Sequence, residues 1–132
     1  MNSSRKKYTL ASDKYSSMDL KSSTKIFTLS ISSYYKGSSS IEFTQKELQH
    51  FFMKIQSFLM DFENIKISNC GMSKNSNKIF TVCRDKKGCV RVSIYDKNKN
   101  WSYNFVSLDK QGFEDLVNKV GIFLNNLNKI LI

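Results

Sequence analysis

Two stretches of the chain carry apolar residues at helical spacing in nearly the same pattern. In Thr44–Leu59 the positions Leu48, Phe51, Phe52, Ile55, Phe58 and Leu59 form one stripe. In Asp109–Leu124 the positions Phe113, Leu116, Val117, Val120, Phe123 and Leu124 form another, each 65 residues after its counterpart. Recurrence at i, i+3, i+4, i+7 marks a helix that buries one face against a neighbouring layer. Thr44 with Glu47 three residues on is a capping box, and Asp109 is a favoured N-cap residue. Amphipathic helices are therefore predicted near 44–63 and 109–128. Gly112 and Gly121 each weaken the second by up to about 1 kcal/mol relative to Ala, a cost either tolerated or explained by close packing.

Ahead of each helix the period drops to two. The same offset lays Phe27 on Val92, Leu29 on Ile94, Ile41 on Val106 and Phe43 on Leu108, strand positions whose apolar side chains share a face. Farther back, Tyr8-Thr-Leu-Ala-Ser-Asp-Lys14 matches Phe80-Thr-Val-Cys-Arg-Asp-Lys86 at an offset of 72, which implies a longer loop in the first copy around Ser16 to Lys21. Each copy reads as three or four antiparallel strands followed by one helix. The expected organisation is one domain, 1–132, made of two repeats at about 7–68 and 77–132 and joined through Asn69–Asn77.

Composition adds a core and a charge. An apolar fraction of 40%, with 13% aromatic, is too rich for a disordered basic tail. Lys and Arg number 21 against 11 Asp and Glu, a net charge of +10. Within the two helices Lys46, Lys54, Lys110 and Lys119 face Glu47, Asp61, Glu63, Asp109, Glu114 and Asp115, a balance of −2 that leaves +12 for strands and loops. A helix covers one face of a sheet and leaves the other free, so this excess sits where a polyanion would bind. For any single Lys the ordinary role is to keep an exposed strand soluble and to blunt a sheet edge.

Strand parity gives the second copy a distinctive open face. If Val90, Val92 and Ile94 face the helices, Arg91 and Tyr95 face away; if Val106 and Leu108 face the helices, Trp101, Tyr103 and Phe105 face away. Bases stack on such rings for about 1 to 3 kcal/mol each, while cations follow the phosphates. The competing reading makes the same trio core or subunit interface. The first copy has Ser38, Ser40 and Glu42 at the matching places, so the halves are not expected to bind equally; its own candidates are Lys14, Tyr34, Tyr35 and Lys36.

Other chemistries find little support. Three cysteines without a C-x-x-C pair, and His50 as the only histidine, argue against a disulfide framework and a structural zinc site. Cys83 and Cys89 read as small, partly buried strand residues. No phosphate-binding loop or dinucleotide fingerprint appears, and Asp85 and Asp96 read as turn residues. No enzyme activity, cofactor or metal is expected. Nor is a membrane partner, since no apolar run reaches the roughly 18 to 20 residues of a span. Met1–Lys7 lacks the apolar centre of a secretory signal, so an intracellular protein is expected, nuclear, cytoplasmic or organellar.

The stretch Thr81-Val-Cys-Arg-Asp-Lys-Lys-Gly-Cys-Val-Arg-Val-Ser-Ile94, followed by Val106-Ser-Leu-Asp-Lys-Gln-Gly-Phe-Glu-Asp-Leu116, resembles the single-stranded-DNA-binding domain of the positive-cofactor-four transcriptional coactivators. It also resembles one repeat of the Pur-alpha family. The matching elements are Arg84-Asp85, Lys87-Gly88, the strand Val90, Val92, Ile94, and Ser107-Leu108 entering a helix with Phe113. In these families, and in the related Whirly proteins, a β-β-β-β-α unit pairs with a second copy. The resemblance thus implies an α+β fold, an intrachain pseudo-dimer of antiparallel sheets backed by two helices. It further implies that Arg84, Lys87 and the region of Trp101 lie on a nucleic-acid surface, with Lys86 standing where the coactivators carry an aromatic. The surface expected overall is Arg84, Lys86, Lys87, Arg91, Tyr95, Lys97, Lys99, Trp101, Tyr103 and Phe105, taking single-stranded DNA or RNA. The alternative is a protein-interaction module of a larger complex or homo-oligomer, using the aromatic face as an interface.

Overall fold

The computed structural model describes residues 6–34, 37–74, 77–98 and 104–130. Each repeat is a four-stranded antiparallel meander closed by a helix. The first runs β1 (Lys6–Ser12), β2 (Ser16–Ser22), β3 (Phe27–Ser33), β4 (Gly37–Phe43) and α1 (Gln45–Met60). The second runs β5 (Ile67–Met72), β6 (Lys78–Arg84), β7 (Val90–Asp96), β8 (Phe105–Leu108) and α2 (Lys110–Ile130). Strand order in each sheet follows chain order. The protein is an α+β pseudo-dimer of two β-β-β-β-α repeats.

The helix starts are the ones the sequence signals. Thr44 and Glu47 close the box reciprocally, with Glu47 N–H on Thr44 Oγ1 at 3.2 Å and Thr44 N–H on Glu47 Oε1 at 2.9 Å. Asp109 caps α2 by accepting from Gly112 N–H at 2.7 Å. Leu48, Phe51, Ile55 and Phe58 of α1, and Phe113, Leu116, Val117, Val120 and Leu124 of α2, are buried. Each helix serves the other repeat: α1 lies along β5 and α2 along β1, while β4 packs on β6 and β7 and β8 packs on β1 to β3. Phe51 joins the halves, its ring 5.6 Å from Phe43 and 4.8 Å from Phe80. A sheet that cannot bury its apolar face alone finds its cover in the second copy.

Strand registers correct the sequence alignment. Leu20 pairs with Leu29 and Leu29 with Ile41, as Val82 pairs with Val92 and Val92 with Val106. Ile41 therefore does correspond to Val106, at the offset of 65, but Leu29 corresponds to Val92 rather than Ile94, and Phe27 to Val90 rather than Val92. Both sheets carry a bulge in their first ladder, between Thr9 and Ala11 and between Asn69 and Gly71, which aligns β1 with β5 and not with Phe80–Lys86. Ser16–Lys21, expected as a loop, belongs to β2. Asn69–Met72, expected as the junction, is strand β5; the connection is the shorter 61–66. Because the strand offsets of 63 and 65 differ by two residues, the inward and outward faces of β7 still come out as expected.

Among the described residues no helix is long and apolar enough to cross a membrane.

Candidate nucleic-acid interface

The face of each sheet turned away from the core can be read row by row. On the first sheet the rows are Lys7, Lys21, Thr28, Glu42; then Thr9, Asp19, Ser30, Ser40; then Ser12, Ser17, Ser32, Ser38. Hydroxyls dominate and the charges cancel, with Lys7 on Asp19 at 3.6 Å. Nothing there can stack on a base.

The second sheet differs in kind. Its rows are Ile67, Cys83, Arg91, Ser107; then Asn69, Thr81, Ser93, Phe105; then Met72, Ile79, Tyr95. Arg91 and Phe105 are diagonal neighbours across the β7–β8 ladder, and the exposed guanidinium lies over the ring at 4.0 Å from its centroid. That cation–π contact holds ring and charge together facing outward. Tyr95 is half-buried, its hydroxyl 3.2 Å from that of Thr81, which in turn donates to Asn69 Oδ1 at 3.0 Å. Phe105 and Tyr95 thus meet the expectation of outward parity.

Lys86 and Lys87 are exposed in the tight β6–β7 turn. Asp85 builds it, its carboxylate accepting from Lys87 N–H and Cys89 N–H, both at 2.9 Å. Gly88 supplies the positive φ of 88°, a conformation that a side chain disfavours. Asp85 is the turn residue expected of it, whereas Asp96 ends β7 in an ion pair with Lys78 at 2.9 Å. Lys97 is exposed at the opposite end of β7. Cations therefore stand beyond both ends of β7, and Arg91 lies one residue inside its Lys86–Lys87 end.

Arg84 does not join them. It shares the parity of Phe80 and Val82 and turns to the helix side, donating to the carbonyls of Ile65 at 3.3 Å, Glu63 at 3.2 Å and Asp85 at 3.3 Å, over the Phe62 ring at 5.4 Å. Its role is to fasten the chain that leaves α1. Cys89, expected as a partly buried strand residue, is exposed in the turn; Cys83 is half-buried, and Cys70, buried in the bulge of β5, has its thiol pKa pushed up by that burial. His50 is exposed on α1. Among the described residues no group of three His, Cys, Asp or Glu is placed to hold a metal ion.

The first copy's candidates flank the second sheet. Asp13 accepts from Tyr15 N–H and Ser16 N–H, each at 2.8 Å, and through its other oxygen from Ser107 N–H at 2.8 Å. The β1–β2 turn, with exposed Lys14 and Tyr15, is thereby held against the outer edge of β8. Tyr34, 80% exposed, is tied to it by a bond from its N–H to Tyr15 O at 2.8 Å. Tyr35, Lys36, Lys99, Trp101 and Tyr103 lie outside the described residues. Sequence reading passed over Tyr15, Asn69, Ile67 and Met72; the outward parity of the last three becomes legible only once β5 is recognised as a strand.

The chain matches no protein-family model and no curated protein sequence.

Proposed function

We propose that the open face of the second sheet binds single-stranded nucleic acid, DNA or RNA. The observation that carries the reading is the Arg91–Phe105 pair, a cation and a ring presented together beside Tyr95. Unpaired bases stack on Tyr95 and on the Arg91 guanidinium plane that Phe105 supports, and the backbone follows β7 from Lys86 and Lys87 past Arg91 to Lys97. A seven-residue strand spans roughly 20 to 24 Å, enough for a few extended nucleotides. The likeness to the coactivator, Pur-alpha and Whirly domains points the same way. The first sheet, lacking rings, takes little part.

A second reading keeps the face and changes the occupant. Ile67 and Met72 are 62% and 55% exposed on the same face, and exposed apolar side chains also suit a protein partner.

Titration against single-stranded DNA, single-stranded RNA and duplex of equal length, at several salt concentrations, separates the two. The expected outcome is tighter binding to single strands, with affinity falling linearly in log salt. Equal affinity for duplex, or no binding at low salt, favours the protein partner.

A further inference from the structure

We propose that Asn69 makes this face discriminate among bases, favouring those with a carbonyl at C4 or C6 (thymine, uracil, guanine) over those with an amino group there (adenine, cytosine). The inference rests on the nucleic-acid reading of the face and adds a specificity to it. Thr81 is 5% exposed, and its hydroxyl sits between Asn69 Oδ1 at 3.0 Å and the Tyr95 hydroxyl at 3.2 Å. A hydroxyl has one proton to give. Given to Asn69 Oδ1, it leaves Thr81 to accept from Tyr95. The oxygen of the Asn69 amide is then committed and its two N–H groups are turned away from Thr81. The result is a donor of fixed orientation beside the hydroxyl end of Tyr95.

Asn69 is where the regular ladder gives way to the bulge of β5, a device that re-aims side chains. A base stacked on Tyr95 brings its edge to this donor. At the exocyclic position of that edge thymine and uracil (C4) and guanine (C6) offer a carbonyl oxygen, whereas adenine (C6) and cytosine (C4) offer an amino group, so there donor meets donor. The equivalent positions of the first sheet are Thr9, Asp19 and Ser32, with Asp19 paired to Lys7. They supply neither ring nor amide, so the device belongs to the half that carries Arg91 and Phe105.

The test uses a short oligothymidylate with one central thymidine replaced by deoxyadenosine or by deoxyinosine, which differ at C6 by an amino group against a carbonyl. In the unmodified protein deoxyadenosine should weaken binding about 3- to 10-fold, the size of one net hydrogen bond, and deoxyinosine should restore it. Asn69→Asp keeps an acceptor for Thr81 and removes the donor. It should abolish the difference between the two purines, whatever its added charge does to overall affinity, and leave the unfolding midpoint in place. A purine difference that survives Asn69→Asp, or is absent from the unmodified protein, overturns the assignment. Failure to bind oligothymidylate at low salt overturns the reading of the face, and the discrimination with it.

Discussion

Ser39 and Asn104 occupy the same position in the two repeats, 65 residues apart, and they touch: the Asn104 amide donates to Ser39 Oγ at 2.9 Å. Equivalent residues meet only at a two-fold axis, so the pseudo-dyad of the molecule passes between them. Asn104 is buried at 7% exposure and Ser39 is half-buried, so the bond is partly sheltered from water. Ser39→Ala should therefore remove this bond, at a cost of about 0.5 to 1.5 kcal/mol. Denaturant unfolding of the variant checks the figure; a midpoint equal to that of the unmodified protein would show that the contact contributes nothing.

Glu47 gives stability a dependence on acid. Burial pushes its pKa up, but hydrogen bonds from the Thr44 and Lys74 N–H groups and the Thr44 hydroxyl, with the charge of Lys74, bring it below the ordinary 4.5. A depressed folded-state pKa means that its contribution is complete above the unfolded-state value and is lost as pH falls through the folded one. The unmodified protein should lead Glu47→Gln in unfolding midpoint at pH 7, and the gap should close as the pH is lowered below about 4. A gap independent of pH would locate the effect in packing instead.

Gly71 allows the sheets to approach. A Cβ there would stand 2.6 Å from Phe43 Cζ, 3.2 Å from Phe80 Cβ and 3.3 Å from Phe51 Cδ1, the ring cluster that joins the repeats. Gly71→Ala should destabilise by about 1 to 3 kcal/mol through overpacking. Thermal unfolding measures it, and an unchanged midpoint would mean that the rings move aside freely.

Arg84 and Arg91 should separate stability from binding. Arg84→Ala removes three carbonyl contacts and should lower the unfolding midpoint while the folded protein binds single strands as before. Arg91→Ala, exposed, should leave the midpoint nearly unchanged and reduce the salt slope of binding by about one unit. Phe105→Ala should weaken binding by about 1 to 3 kcal/mol with little effect on that slope. Reversal of the two arginine phenotypes would place the site on the helix side of the sheet.

Helices and faces were legible in the chain because burial periodicity is local: Leu48 to Leu59 and Phe113 to Leu124 declare their stripes, and Val90, Val92 and Ile94 declare which way Arg91 and Tyr95 turn. Strand equivalence was not, because it depends on turn lengths that differ between the copies. β2 was hidden by its own composition, Ser-Ser-Met-Asp-Leu-Lys-Ser, in which only Met18 and Leu20 turn to the core and the opposite face is hydroxyl and charge. Arg84 was misplaced because the resemblance to the coactivator domain carried it, with Lys87, onto the nucleic-acid surface. In fact it ends β6 on the core side, before the turn begins. The network of Asn69, Thr81 and Tyr95 joins three strands and no local pattern announces it.

The inequality of the two sheets bears on direction. A nucleic-acid strand has distinguishable 5′ and 3′ ends, and a receptor built from two identical halves can accept it either way round. Here one half offers Arg91, Phe105 and Tyr95 while the other offers hydroxyls, so the two-fold relation of the backbone is broken in its chemistry. On the proposed reading a bound strand has one preferred polarity along β7, and whatever lies beyond either end of the face always meets the same end of the strand.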